Sequence, residues 1–441
     1  MSVASEVQPR ILSRSEHPIS RKQISGQALK VLYRLHGAGY KAHLVGGSVR
    51  DLMLGRQPKD FDIGTNARPN EIRRLFSNSR IIGRRFRLVH VFFQDGETVE
   101  VSTFRRDPRP EDQESAPGDL LITSDNTYGT PREDAFRRDF TVNALFYDIA
   151  DFSVIDHVGG IEDLERQLIR TIGDPGVRFQ EDPVRMLRAC EFAGRLGFGI
   201  EARTQGALHL HSKELTKASP ARMTEEIIQL FRCGRSGAAT QWLLELGILE
   251  VILPEAYAMV AAGERGLGEF GQILPSIDRM VASGRKPSDS GALAAILLPQ
   301  VMLRRHDIEA LNQRPMGRAA LDKMTEEAVA PFFARFTLSN LKSQQVLSAL
   351  HLFQRLIDSG WSAGERLRIA RRAGFEDALL LFEILVAATG DGAEKLEVWR
   401  AAAARARSGE LPPPEEVVAA APKRPRRRRR RTGRPAGAAS L

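Results

Sequence analysis

Asp60 and Asp62 stand two residues apart in the segment Asp60-Phe61-Asp62-Ile63. If that segment is a strand, side-chain alternation puts both carboxylates on one face, with Cα atoms roughly 6.5–7 Å apart at about 3.3 Å rise per residue. Carboxylates so placed suit a pair of Mg²⁺ ions, which activate an attacking hydroxyl and neutralise a leaving pyrophosphate. Just upstream runs Leu44-Val45-Gly46-Gly47-Ser48-Val49-Arg50-Asp51. Gly46 and Gly47 let the backbone turn sharply and come close to a ligand. The helix start that follows presents free N–H groups and the positive end of a dipole, so Gly46, Gly47 and Arg50 are candidates to receive a triphosphate. A glycine pair after a strand is most often only a turn, and Asp-x-Asp alone is common in solvated loops. In this order and this close together, the two features reinforce each other.

Two more clusters carry chemistry. In Arg137-Arg138-Asp139-Phe140-Thr141-Val142-Asn143, guanidinium groups beside an aspartate would set phosphate oxygens next to a metal site. The competing interpretation is a surface ion pair leading into a strand. In Glu181-Asp182-Pro183-Val184-Arg185-Met186-Leu187-Arg188, Asp182 before Pro183 is a good helix start. That role leaves Arg185 and Arg188 unexplained, three and six residues further along a neighbouring face. An aspartate beside an arginine offers an acceptor and donors to a base edge. The carboxylate takes an amino proton of adenine or cytosine and the guanidinium donates to a ring nitrogen; uracil and guanine have the opposite polarity. A protein with this pair would select A, or A and C, without a template, and the chemistry leaves both open.

The elements that must position these groups are short strands with intervening helices. Strands are expected at His43–Val45, Asp60–Ile63, Arg87–Phe93, Thr98–Phe104, Ala144–Ile149 and Ser153–Asp156, with a helix from Ser48 to Leu54 closed by Gly55. Ser25 is the expected cap of an amphipathic helix reaching Leu35. Alternation in Glu97-Thr98-Val99-Glu100-Val101-Ser102 puts Glu100 on one definite face, a third carboxylate candidate. Pro108 to Pro131 has the composition of a long loop. After Gly173 strand signals stop and helical spacing continues to about Arg405. His209 and His211 lie in a helical pattern without ligand partners, and Phe332, Phe333 and Phe336 have the spacing of core residues.

Composition narrows the class. The two cysteines, Cys190 and Cys233, exclude a disulfide framework and a cysteine zinc site. No apolar run approaches the ~20 residues that span a bilayer, and residues 1–21 lack the apolar core of a secretory signal, so a cytoplasmic protein with no membrane partner is expected. The net charge of +9 is concentrated at the C-terminus. From Pro422 onward come Lys423, Arg424, Arg426, Arg427, Arg428, Arg429, Arg430, Arg431 and Arg434, with no acidic residue. A segment rich in Pro, Ala and Arg cannot build a core; it is expected to be disordered and to tether the phosphate backbone of RNA.

The strand, glycine turn, helix and Asp-x-Asp order resembles the nucleotidyltransferase family that includes poly(A) polymerases and tRNA CCA-adding enzymes. Arg-Arg-Asp-Phe-Thr is a signature of that family and stands here as residues 137–141; Pro220-Ala221-Arg222-Met223 with Glu225-Glu226 is similar to its neck helix. Ile81-Ile82-Gly83-Arg84-Arg85-Phe86-Arg87-Leu88-Val89-His90 and the arginine-rich tail resemble bacterial poly(A) polymerases, where CCA-adding enzymes more often carry a Gly-Thr pair. One departure is Glu191, where the family often has a basic residue. The resemblance implies that Arg138, Asp139 and Asn143 line the nucleotide pocket and that Asp139 joins the essential carboxylates. It implies an α+β fold: a nucleotidyltransferase head with a small mixed or antiparallel sheet (25–172), a helical neck (173–255) and a helical body (256–405). A flexible leader (1–24) and a disordered basic tail (406–441) complete the expected organisation. The expected activity is transfer of AMP from ATP to RNA 3′-hydroxyl ends with Mg²⁺. CCA addition to tRNA is the alternative, and a non-catalytic RNA-binding protein on a transferase scaffold a further one.

Overall fold

The computed structural model describes residues 8–83, 87–106, 127–261, 264–358 and 360–409. The N-terminal part is built on strands β1 (Arg10–Leu12), β2 (Ala42–Val45), β3 (Asp62–Thr65), β4 (Ser79–Ile82), β5 (Leu88–Phe92), β6 (Thr98–Thr103), β7 (Leu145–Asp148) and β8 (Val154–Asp156). They form one mixed eight-stranded sheet in the order β1-β8-β7-β2-β3-β6-β5-β4. Central β2 runs antiparallel to both β3 and β7, and β3 runs parallel to β6. All four residues of β2 are buried, as a strand covered on both faces requires. In β6, Val99, Val101 and Thr103 point into the core while Glu100 and Ser102 stay half-buried on the other face, the alternation visible in the sequence.

Helices of this part are α1 (Gly26–Gly37), α2 (Gly47–Met53), α3 (Pro69–Leu75), α4 (Pro131–Phe136) and α5 (Gly160–Arg166). Ser25 caps α1, its hydroxyl accepting from the Ala28 N–H at 3.0 Å. The helix buries Ala28, Val31, Leu32 and Leu35, one stripe at i, i+3, i+4 and i+7 that packs on the sheet. Burying each of the larger side chains contributes roughly 1.5–3 kcal/mol.

Beyond the sheet come α6 (Pro175–Glu181), α7 (Arg185–Leu196), α8 (Ala202–His211), α9 (Pro220–Arg232), α10 (Ser236–Glu245), α11 (Ile248–Ile252), α12 (Pro254–Ala261) and α13 (Glu264–Ala282). They are followed by α14 (Asp289–Asn312), α15 (Arg318–Phe336), α16 (Asn340–Ile357), α17 (Ala363–Ala370), α18 (Phe375–Thr389) and α19 (Ala393–Arg407). A continuous apolar core runs from the sheet through these helices and takes in Phe332 and Phe336. The packing of α7 on α10 depends on Gly194, where a Cβ would lie 2.5 Å from the Ala239 nitrogen.

Four features depart from expectation. Residues 10–12, placed in a flexible leader, form edge strand β1, whose Ile11 pairs with Ile155. Strand β3 begins at Asp62, so Asp60 precedes it instead of sharing its face. Strand β4 pairs antiparallel with β5, a pairing that the short Ser79–Ile82 run did not announce. Finally, β9 (Leu168–Ile169) and β10 (Gly199–Ile200) make a parallel pair that clips α7 back onto the sheet domain, although Ile200 lies in the segment read as purely helical. Most of the 108–131 loop, Arg84 to Phe86, and residues 410–441 with Lys423, Arg424 and Arg426 to Arg431 lie outside the described residues, while Ala406 and Arg407, placed in the tail, end α19.

Candidate active site

A cleft of about 740 Å³ separates the sheet domain from α7 and α9. Its floor comes from the β2–α2 turn (Gly46, Gly47, Ser48, Arg50, Asp51), from Lys59, Asp60 and Asp62, and from Arg138, Asp139 and Asn143. Gly46 caps α2 with φ +72° and lies so close to Arg138 that a Cβ would sit 3.1 Å from Nη1. Both conditions favour glycine. The first turn of α2 therefore opens directly onto the cleft with its backbone N–H groups.

Asp62 faces Glu100 across the parallel β3–β6 pair. Burial, followed by the charge of Glu100, raises the Asp62 carboxyl to about 6 against the opposing pull of Arg138. Asp60 is 71% exposed at the mouth, with Lys59 Nζ 3.5 Å away. Glu100 contacts His90 Nε2 at 3.4 Å. Among the described residues, no three His, Cys, Asp or Glu side chains converge as a ready metal cage. The donor set nevertheless fits Mg²⁺: hard carboxylate oxygens on adjacent strands, one destabilised by burial and by the facing carboxylate, beside an open cleft. Mg²⁺ commonly takes one or two carboxylates and completes its shell with water and substrate phosphates.

The rear of the cleft is a chain of paired groups. Arg188 Nη2 lies 2.7 Å from Asp139 Oδ2, and Arg188 Nη1 reaches Glu226 at 3.4 Å. Asp139 Oδ1 accepts from the Phe140 N–H at 2.8 Å and from Asn143 Nδ2 at 3.2 Å. Asn143 Oδ1 in turn accepts from Arg50 Nη1 at 2.5 Å. Burial pushes the Asp139 carboxyl up, but Arg188, Asn143 and the Phe140 N–H overcome it and hold it below the usual carboxylate range. Asp139 thus lines the cleft as the link between the sheet domain and α7, with Arg188 as its partner. Arg138 is braced by Asp134, with Nη2 2.9 Å from Oδ2.

Asp182 and Arg185 are not brought to the cleft. Asp182 ends α6 instead of capping α7, whose N-cap is Val184. Its two oxygens accept from Arg222 Nη1 and Nη2 at 2.6 and 2.8 Å. Arg185 is buried and donates to the Arg178 carbonyl at 3.3 Å and towards Glu181 at 3.5 Å. Pro183 delays the start of α7, and the Arg222 guanidinium, brought from α9 by packing, outcompetes a backbone N–H for the carboxylate.

Several lining residues escaped the sequence reading. On α7, Glu191, Phe192 and Arg195 line the cleft beside Arg188, which the sequence had already singled out. The guanidinium carbons of Arg50, Arg188 and Arg195 lie 5.3, 5.0 and 5.2 Å from the Phe192 ring centroid. The i, i+3, i+4, i+7 spacing of those α7 positions was available as a signal. Glu226 and Gln229 similarly make a polar stripe along α9, and Arg232, Cys233, Val281 and Lys286 complete the outer wall.

Residues 42–170 match the family described as "Poly A polymerase head domain", and residues 197–259 match "Probable RNA and SrmB- binding site of polymerase A". Poly(A) polymerase I of Salmonella typhi is 48% identical over 250 residues, 55% of this chain and 53% of that protein; the chain thus spans about half the length of this relative. Poly(A) polymerase I of Haemophilus influenzae is 36% identical over 338 residues, covering 73% of this chain and 74% of that protein. Among solved structures, the Bacillus stearothermophilus CCA-adding enzyme in complex with CTP is similar with TM-score 0.60 and 26% identity, over 87% of this chain and 83% of that one. The chain belongs to the nucleotidyltransferase family shared by poly(A) polymerase I and the CCA-adding enzymes.

Proposed function

We propose that this protein transfers AMP from ATP to the 3′-hydroxyl of RNA without a template, releasing pyrophosphate. The observation that carries this reading is the Asp62–Glu100 carboxylate pair beside a glycine turn whose helix start opens onto an arginine-lined cleft. Asp62, with Asp60 at the mouth and Glu100 as a third carboxylate, would hold Mg²⁺; when bound, the metal lowers the pKa of the attacking hydroxyl and neutralises the leaving pyrophosphate. Gly46, Gly47 and the α2 N-terminus receive triphosphate oxygens, and Arg50 and Arg138 hold the floor beneath them. Arg188 and Asn143 keep Asp139 ionised and aligned. Base choice falls to Asp182 and Arg185, whose polarity suits adenine; seating a base there requires Asp182 to exchange Arg222 for the amino group. The C-terminal polycation tethers the RNA, and the protein works in the cytoplasm, where ATP and RNA 3′ ends are available.

CCA addition to tRNA is the second reading, favoured by the likeness to the Bacillus stearothermophilus enzyme in complex with CTP. It needs the same carboxylates. A non-catalytic RNA-binding role is less economical, because the two facing carboxylates cost stability and serve no scaffold purpose.

The test uses purified full-length protein, Mg²⁺ and single nucleotides with two RNAs: an unstructured strand and a tRNA lacking its last three nucleotides. Long tails from ATP on the unstructured strand, with CTP ignored, are expected. Addition of two C and one A to the tRNA followed by a stop would replace this reading with the second. Binding without incorporation on either RNA would leave only the scaffold.

A further inference from the structure

Away from the cleft, the helical body contains a second cavity of about 280 Å³, below the roughly 300 Å³ at which sites for drug-sized ligands begin. It lies between α16, which supplies Gln344, Ser348, His351 and Arg355, and the turn joining α17 to α18, which supplies Arg372. The turn is drawn tightly against α16. Ser348 Oγ donates to the Ala373 carbonyl at 3.0 Å, and Gly374 adopts φ +85°, with a Cβ there falling 2.8 Å from that same Oγ.

The lining holds two arginines and a histidine and no carboxylate. Neither Arg355 nor Arg372 has an ion-pair partner among the described residues. Arg355 Nε is buried and has no hydrogen-bond partner. A buried donor left unmade costs about 1–3 kcal/mol, so a fold does not keep one without compensation elsewhere. Burial, then Arg372, and further Arg318 disfavour the charge on Arg355, with Asp322 the opposing carboxylate. Asp322 meets this wall through its main chain, as its carbonyl oxygen lies 3.3 Å from His351 Nε2. The backbone under Arg355 is fixed by Trp361, whose indole N–H donates to the Arg355 carbonyl at 2.9 Å. The Arg318 guanidinium lies 5.2 Å from the Trp361 ring centroid and adds a further positive charge acting on Arg355. A small cavity with clustered cations, hydroxyl and amide groups, and no neutralising carboxylate in its lining has the donor set of an oxyanion site.

We propose that this pocket binds a phosphate group, supplied by the backbone of the RNA strand upstream of its 3′ end. The RNA source rests on the transferase reading above; the phosphate chemistry does not. A contact outside the cleft, independent of base identity, would hold a growing strand while its end is repositioned.

The experiment compares the full chain with Arg355→Gln, Arg372→Gln and the double variant, with Lys323→Gln as a control that removes an exposed charge of the same body. Affinity for an unstructured RNA is measured over a salt series, and thermal protection by inorganic phosphate is measured without RNA. Each phosphate contact on a single strand contributes about 0.7 to the slope of log K against log salt. The double variant is expected to flatten that slope by about 0.7 and to lose the protection by phosphate, while Lys323→Gln matches wild type. Because Arg372 is exposed, its variant tests the pocket even if Arg355→Gln disturbs packing. Loss of phosphate protection with an unaltered RNA slope would overturn the RNA source and retain a site for free phosphate. No phosphate protection and no change in slope would overturn the pocket itself. If the wild-type chain binds no RNA at all, it is the transferase reading that fails, and the phosphate arm still judges the pocket.

Discussion

Asp62 and Glu100 are register partners on neighbouring parallel strands, two carboxylates brought face to face. The folded protein holds the Asp62 proton up to about pH 6, while an unfolded chain releases it near 3.8. Stability contributed by this group is therefore present below about pH 4, falls as pH rises through 4 to 6, and is fully lost above. Two pKa units correspond to at most about 3 kcal/mol. Asp62→Asn should accordingly raise the melting temperature at pH 8 and flatten its pH dependence between 4 and 6. Mg²⁺ should stabilise the wild type at pH 8 and leave Asp62→Asn unmoved. The same variant should lose transfer by at least a hundredfold while still binding RNA. A melting temperature that ignores Mg²⁺, with activity retained, would remove Asp62 from the metal assignment.

Arg188 and Asp139 make the second test. Their contact joins the sheet domain to α7, and Asp139 is the more buried partner, with an 11% exposed side chain. Removing one member of a buried pair strands the other, at about 3–5 kcal/mol when fully enclosed. Because Arg188 is a third exposed, Arg188→Met should cost about 2–3 kcal/mol, read as a shift in urea midpoint. The double variant Arg188→Met with Asp139→Asn should recover part of that loss. The depressed Asp139 carboxyl stabilises the fold above its unfolded value and fails as pH falls through its folded value, so wild type should lose this increment in acid and Arg188→Met should not. Strict additivity of the two substitutions would mean the contact carries no energy.

Much of this site was legible in the sequence because its parts are local. The Gly46–Gly47 turn, the α2 start and the alternation that fixes Glu100 depend on neighbours within a few residues, and periodicity reports them. Six head strands were placed within two residues of their observed limits for the same reason. The pairings β4–β5 and β9–β10 were invisible, since β4, β9 and β10 are only two to four residues long and hold no period. Asp182 shows the limit most clearly. Its sequence context promised a helix cap or a base reader, yet its partner is Arg222, forty residues away on another helix. Which cation reaches a carboxylate first is set by packing, and spacing along the chain carries no trace of it.

The Arg222 contact leads to a third prediction, on nucleotide choice. If Asp182 reads a base after releasing Arg222, Asp182→Ala should reduce the ATP-to-CTP preference at least tenfold, beyond any loss of stability. Arg222→Gln should keep the preference, since it leaves the carboxylate in place, and should cost about 1–3 kcal/mol for the lost pair. Single-nucleotide incorporation on one RNA with each triphosphate measures the ratio directly. An unchanged ratio in Asp182→Ala, with a lower melting temperature, would make Asp182 a strut between α6 and α9 and move base choice to the Glu191–Arg195 wall of the cleft.

The last prediction concerns the polycation that begins at Pro422. Nine basic residues without a carboxylate account for a charge equal to the whole net charge of the protein, so the rest of the chain is close to neutral overall. RNA affinity should therefore reside largely in the tail at low salt. Deleting residues 422–441 should weaken binding to any RNA by a similar factor and flatten the salt slope, by about 0.7 for each phosphate released. Nucleotide preference should not move, because no tail charge is needed to orient a base in the cleft. At salt high enough to screen the tail, within a Debye length of a few ångströms, the truncated and full chains should extend RNA equally well. Equal salt slopes for the two chains would show that the RNA is held elsewhere, and the arginine-rich wall of the cleft would then be the first place to look.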